Sequence, residues 1–112
     1  MKRSVLGLVE KITIIKNDRK KTVNARIDTG ATKSSIDSTL AHELDLGPII
    51  KKMQIRSSHG TSMRPIIHAE IIIDGRTYKE EFTLAPRSHM SYPVLIGQNI
   101  LKKGKFLVDP LK

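Results

Sequence analysis

The 112-residue chain contains no cysteine. That excludes a disulfide framework, a thiolate nucleophile and a cysteine metal cluster, and it fits a reducing, cytoplasmic setting. Aromatic residues are scarce, two Tyr and two Phe. That is too few for a platform on which bases stack, and none of the common nucleic-acid signatures occurs. No apolar run approaches the roughly 20 residues that span a bilayer. The opening "MKRSVLGLVEKI" is interrupted by Glu10, too early for the apolar core of a signal peptide. Neither membrane nor nucleic acid is therefore an expected partner. Acidic residues are also few: 11 Asp and Glu stand against 20 Lys and Arg, a net charge of +9. A surplus of that size favours acidic partners by long-range attraction, although its scatter along the chain also suits a plain solvated surface.

What is present reads mostly as strands. The length suits one domain, residues 1–112, without internal repeat or linker. "LVEKITII" alternates and is rich in β-branched residues, "NDRKK" reads as a polar turn, and "TVNARI" as the returning strand. "SSIDSTLAHELDL" has helical spacing, with Ile36, Leu40 and Leu44 on one face, Ser34 or Ser35 as cap, and Gly47-Pro48 as the stop. "KKMQIRSS" and "SMRPIIHAEIII" form the arms of a hairpin around "SHGTS", and Asp74-Gly75 marks a second hairpin. "YPVLIG" predicts a short buried strand, "QNILKKG" about one helical turn, and "KFLVDP" a last strand that Pro110 ends. Tyr78 and Phe82 alternate with charged residues and are expected in the core or at a dimer contact. About seven short strands and one or two short helices predict a closed, mainly β domain.

The stretch that carries chemistry is "ARIDTGATKSSI". Asp28 ends a strand, Thr29 offers a small hydroxyl, and Gly30 permits a turn that a Cβ would resist. An isolated aspartate stays ionised at neutral pH and is a poor proton donor. Two carboxylates about 3 Å apart share one proton, so that one acts as base and the other as acid. Such a pair activates a water and polarises a carbonyl. The chain has a single Asp-Thr-Gly, so a second aspartate must come from another copy across a two-fold axis. By composition alone, a chain of this length shows the triplet about once in fifty. The alternative is a plain turn in which Asp28 caps backbone groups.

A second segment, "YPVLIGQNIL", sits about 65 residues on. This order resembles the retropepsin-like aspartic proteases, in which an apolar-apolar-Gly segment braces the Asp-Thr-Gly turn from behind. Here that segment is Leu95, Ile96 and Gly97, and "SSHGTSM" falls where the family has its flap. "RPIIHAEIIIDGRTYKEEFTL", "RSHMSYPVLIGQNIL" and "FLVDP" extend the resemblance over roughly residues 6–110. They are similar to a bacterial and archaeal branch that carries the label ATP-dependent zinc protease. Some of its relatives travel with ATP-grasp ligases that add glutamates to a ribosomal protein. The resemblance implies a closed acid-protease barrel with one or two short helices. It implies an aspartic endopeptidase acting as a homodimer on a peptide or protein, and the charge and the ligase-linked relatives suggest a glutamate-rich one.

The resemblance assigns Asp28, Thr29 and Gly30 to catalysis. It assigns Ala31, Ser58, His59, Gly60, Thr61, Arg87 and His89 to substrate binding, and Leu95, Ile96 and Gly97 to support of the site. Arg87 and His89 could grip a substrate carboxylate, or Arg87 could bond backbone carbonyls within a structural loop while Met90 fills a core gap. Arg64, before Pro65 on the flap's return arm, is a similar case. Lys33 either faces the cleft or lies in solvent. Retroviral enzymes carry an Asp after Asp-Thr-Gly-Ala and an Arg after the apolar-apolar-Gly, paired near the dimer axis. Thr32 and Gln98 stand here, so a dimer must be held differently. Neither a metal nor another cofactor is expected. His42, His59, His68 and His89 share no local ligand spacing, and no phosphate loop or serine-nucleophile elbow occurs. The other class of function is a catalytically silent binding or dimerisation module on the same fold.

Overall fold

A computed structural model describes residues 3–57 and 60–112. Its strands are β1 (Val5–Leu6), β2 (Val9–Lys16), β3 (Arg19–Ile27), β4 (Ser34–Asp37), β5 (Ile49–Ser57), β6 (Gly60–Ile73), β7 (Arg76–Ala85), β8 (Val94–Ile96) and β9 (Leu107–Val108). Two helices of six residues each, α1 (Ser38–Glu43) and α2 (Gln98–Lys103), complete it. Six strands close a barrel in the order β2-β3-β8-β4-β7-β6, and β6 returns to β2 through Thr13 opposite Ile72. β5 pairs with β6 outside the ring, so these two long strands form one extended hairpin.

Alternation builds this barrel. On β6, Ile67, Ala69, Ile71 and Ile73 are buried while His68 and Glu70 are exposed. Ile12 and Ile14 of β2, Phe82 of β7 and Val94 and Ile96 of β8 meet them in one core. Tyr78 packs edge-on to Phe106 with ring centroids 5.9 Å apart, so Tyr78 and Phe82 are both core residues. The β6–β7 hairpin turns on Asp74 and Gly75, both in the left-handed region at φ 51° and 75°, the signature of a two-residue primed turn.

Two local expectations need correction. "NDRKK" is not all turn: the loop is Asn17 and Asp18 alone, and Arg19, Lys20 and Lys21 pair with Lys16, Ile15 and Ile14. Their charges sit on exposed positions, which a strand tolerates. The helix does not include Ser34 to Asp37. These residues form β4, parallel to β7 and antiparallel to β8, and Asp37 rather than Ser34 or Ser35 caps α1 by accepting from Leu40 N at 3.2 Å. Ile36, Leu40 and Leu44 are all buried, but the first arrives from a strand. The helix ends at Glu43, before Gly47-Pro48. The terminal strands β1 and β9 pair with each other, in parallel, inside one chain. Among the described residues no helix is long and apolar enough to cross a membrane.

Candidate active site

β3 runs out of the barrel at Ile27 and delivers Asp28. The Asp28 N–H donates to the Ile96 carbonyl at 2.9 Å, which extends the β3–β8 pairing by one rung. Asp28 Oδ1 accepts from the Gly30 N–H at 2.9 Å, and the Asp28 carbonyl accepts from Ala31 N at 3.3 Å. The turn is thus closed on its own carboxylate. Among the described residues Asp28 Oδ2 has no hydrogen-bond partner, and the side chain is half-buried at the end of the strand.

The segment behind the turn holds it tightly. Gln98 N donates to the Ala31 carbonyl at 2.8 Å, and the Gln98 side-chain amide donates to the Thr29 carbonyl at 2.9 Å. Gln98 therefore does a job of its own where the retroviral pattern has arginine. A Cβ on Gly97 would sit 2.4 Å from the Lys33 carbonyl oxygen and 2.8 Å from that of Ala31. Only glycine lets the brace and the turn approach this closely. Ile96 points into the core, and Leu95 lines a groove on the other side of the strand.

A buried polar chain ties the brace to the barrel. Gly97 N donates to Ser34 Oγ at 3.0 Å, Ser34 Oγ donates to Asn99 Oδ1 at 2.8 Å, and Asn99 Nδ2 donates to the Glu81 carbonyl at 2.9 Å. Ser34 is fully buried. Sequence reasoning assigned Ser34 only a possible cap and did not single out Asn99. Their partners lie 65 residues apart and come together only in the folded barrel. Ser34→Ala leaves the Gly97 N–H and the Asn99 carbonyl oxygen without this partner in a buried place. The expected loss is about 1–3 kcal/mol of stability, read by denaturant unfolding. No measurable loss would mean that the chain of bonds is dispensable.

A groove of about 560 Å³ opens beside the turn. Gly30, Ala31 and Lys33 form one wall, and Met53, Ile55, Arg56 and Arg64 of the β5–β6 hairpin form the other. This hairpin is the expected flap. Gly60 begins its return arm with φ 107°, and Thr61 is exposed beside it, opposite Arg56. Ser58 and His59 lie outside the described residues. Arg56 of the flap was not singled out from sequence; its position on a long polar hairpin carried no distinguishing signal. No acidic residue lines the groove among the described residues.

Arg87 and His89 are placed elsewhere. Arg87 N donates to Asp37 Oδ1 at 2.8 Å and its Nε to the Tyr92 carbonyl at 3.2 Å, so Arg87 fastens the loop between β7 and β8. Burial pulls its guanidinium below the ordinary value, and the carboxylates of Asp37 and Asp28 partly restore it. Its charge therefore reaches Asp28, although it does not line the groove. His89 is exposed in the same loop and also off the groove, and Met90 is exposed rather than filling a core gap. Lys33 is neither fully solvated nor free: it lines the groove and pairs with Glu81 at 3.0 Å. Among the described residues no group of three His, Asp or Glu gathers as a metal site would require. Thr29 faces a second, more open groove of about 780 Å³, lined with Gln98, Leu101, Phe106, Leu107 and Val108 and rimmed by Arg3, Lys102 and Lys105.

Residues 39–112 match the model of the RimB-like family, described as retropepsin-like aspartic endopeptidase RimB. The chain belongs to that family. The matched region holds the flap, the β8–α2 brace and the terminal strand, and begins after the Asp28 turn. A Shewanella pealeana protein described as "Probable alpha-L-glutamate ligase" is 28% identical over 79% of the chain. The chain spans 24% of that relative's length. Among solved structures, a Legionella pneumophila protein of unknown function aligns with a TM-score of 0.73 at 22% identity, over 99% of this chain and 96% of that one. The simian foamy virus protease aligns with a TM-score of 0.61 at 19% identity, over 84% and 91% of the two chains. The fold of this RimB-like chain is thus that of the retropepsin-like proteases: mainly β, closed, with two short helices.

Proposed function

We propose that the chain is an aspartic peptidase that works as a homodimer, each copy supplying one Asp28. The observation that carries this reading is the carboxylate itself. It stands on a turn pinned by Ile96, Gly97 and Gln98, with one oxygen tied to Gly30 and the other unclaimed among the described residues. A single such carboxylate lacks an acid to accompany the base. A two-fold that brings two of them together passes close to Thr29, and the groove beside Thr29 offers the exposed Leu107 to a second copy. In the pair, the ionised carboxylate takes a proton from water while the protonated one gives its proton to the scissile carbonyl oxygen. The water oxygen bonds to the carbonyl carbon. The carboxyl that took the water's proton then gives it to the peptide nitrogen as the C–N bond breaks, while the other carboxylate takes back a hydroxyl proton and the new carbonyl forms.

The groove's lining supports an acidic substrate. Lys33, Arg56 and Arg64 line it, no acidic side chain lines it among the described residues, and only Lys33 is already paired, with Glu81 behind it; the chain carries +9 overall. The description of the Shewanella relative as a glutamate ligase supports glutamate-rich peptides in particular. The absence of cysteine is consistent with work in the cytoplasm.

The test is cleavage of a peptide pool, neutral and glutamate-rich, between about pH 4 and 7, alongside sedimentation of the same protein. The expected result is a dimer that cuts, with glutamate-rich peptides preferred at low salt. A folded dimer that cuts none of them would point to a binding module. A monomer throughout the range could not assemble the pair.

A further inference from the structure

Glu81 projects from the outer face of β7, since its neighbour Phe82 fills the core. Three cationic or potentially cationic side chains converge on its carboxylate. Lys33 Nζ lies 3.0 Å from one oxygen, and Lys51 Nζ and His68 Nε2 lie 3.1 and 3.9 Å from the other. They come from three elements: the segment after the Asp28 turn, the outgoing flap strand β5 and the return strand β6. The Glu81 backbone is itself fixed, because its carbonyl accepts from Asn99 at the end of the buried chain that starts at Gly97. The hydrogen bonds from Lys33 and then Lys51 hold its carboxyl below the ordinary 4.5. The sign follows: the cluster stabilises the fold above about pH 4.5 and loses that contribution as pH falls through the depressed value.

Lys33 matters because it also lines the groove. A carboxylate from within the chain thus occupies the position that an acidic side chain of a bound peptide would seek. Arg56 and Arg64, also in the wall, have no ion pair among the described residues. The groove therefore presents two open cations and one already occupied.

We propose that Glu81 is a specificity-determining residue that competes with substrate carboxylates for Lys33, and so limits how strongly the groove holds acidic peptides. This rests on the reading of the groove as the peptide site. Its test is made by binding, which does not depend on turnover. A surface ion pair contributes little to stability, so the effect belongs in ligand affinity rather than in folding.

The experiment measures fluorescence anisotropy of labelled hexaglutamate and hexaglutamine peptides with protein carrying Asp28→Asn, so that the peptides stay intact. Adding Glu81→Gln is expected to tighten hexaglutamate roughly three- to fivefold at about 50 mM salt, and to leave hexaglutamine unchanged. At about 500 mM salt the gain should vanish. Adding Lys33→Met on top should remove most of it. Unchanged or weaker hexaglutamate binding, equal tightening of both peptides, or no binding by any variant would overturn the proposal. Should Glu81→Gln not fold, the occupied and open cations still separate. Lys33→Met alone should change hexaglutamate affinity by less than about twofold, whereas Arg64→Met should weaken it by about fivefold. Equal losses would overturn it. Absence of cleavage by protein that retains Asp28, with this binding pattern intact, would count against the peptidase reading alone.

Discussion

Asp28→Asn is expected to lower peptide cleavage by a factor of about 10³ or more while leaving the fold intact. General acid–base groups typically contribute about 10²–10⁴ in rate, and in a symmetric pair one substitution removes both members. Asparagine preserves the shape, and its side-chain oxygen still accepts from the Gly30 N–H, now 2.9 Å away. The backbone bonds from Asp28 N to Ile96 and from Ala31 N to the Asp28 carbonyl do not involve the side chain. An amide neither takes a proton from water nor gives one to a carbonyl, so chemistry stops where structure does not. The check is a cleavage rate beside a thermal melt. A variant that melts with the wild type and cuts at more than about a tenth of its rate would show that Asp28 is only a turn residue.

Gly97→Ala should instead damage the fold and the site together. The added methyl would meet the carbonyl oxygen and carbon of Lys33 at 2.4 and 2.7 Å and the Ala31 carbonyl at 2.8 Å. All three are backbone atoms, so no flexible side chain can swing aside. Relief requires β8 and α2 to retreat from the turn, stretching the bonds from Gln98 to Ala31 and Thr29. Overpacking a tight site costs about 1–3 kcal/mol, and this backbone clash belongs at the upper end. In a domain this small that is a fall in melting temperature of roughly 10 °C. Activity measured well below the melt should fall as well, because Asp28 is aimed by the same contacts. A variant within about 1 kcal/mol of wild type, and still active, would mean that the turn does not rest on Gly97.

The barrel was largely legible because its strands obey a period of two. Ile67, Ala69, Ile71 and Ile73 declare an inner face without help from any neighbour, and Asp74-Gly75 fixes where β6 turns back. Gly97 was legible only through resemblance, for the reason it must be glycine is the backbone of residues 31 and 33 lying against it. The failure at Ser34–Asp37 has a clear cause. Ile36, Leu40 and Leu44 keep helical spacing, but Ser34 and Ile36 are both buried with Ser35 half-exposed between them, and β7 and β8 take up that short segment as a strand. Local spacing loses there to ladder bonds that the sequence does not display. The Glu81 cluster was hidden for a related reason: residues 51, 68 and 81 lie on the neighbouring strands β5, β6 and β7 and residue 33 on the segment leading into β4, and they share no motif.

The distance along the chain between the Asp28 turn and its brace has a consequence for timing. Among the described residues, the backbone bonds that hold Asp28 and Ala31 from outside their own turn come from Ile96 and Gln98, some 69 residues further along the chain. Contacts so far apart in sequence form late, after the long loop between them has closed. A chain emerging from synthesis carries its Asp-Thr-Gly early but cannot hold it in position until β8 and α2 have followed. Arming the carboxylate and completing the barrel are then one event, and an unfinished chain carries the residue without the means to aim it.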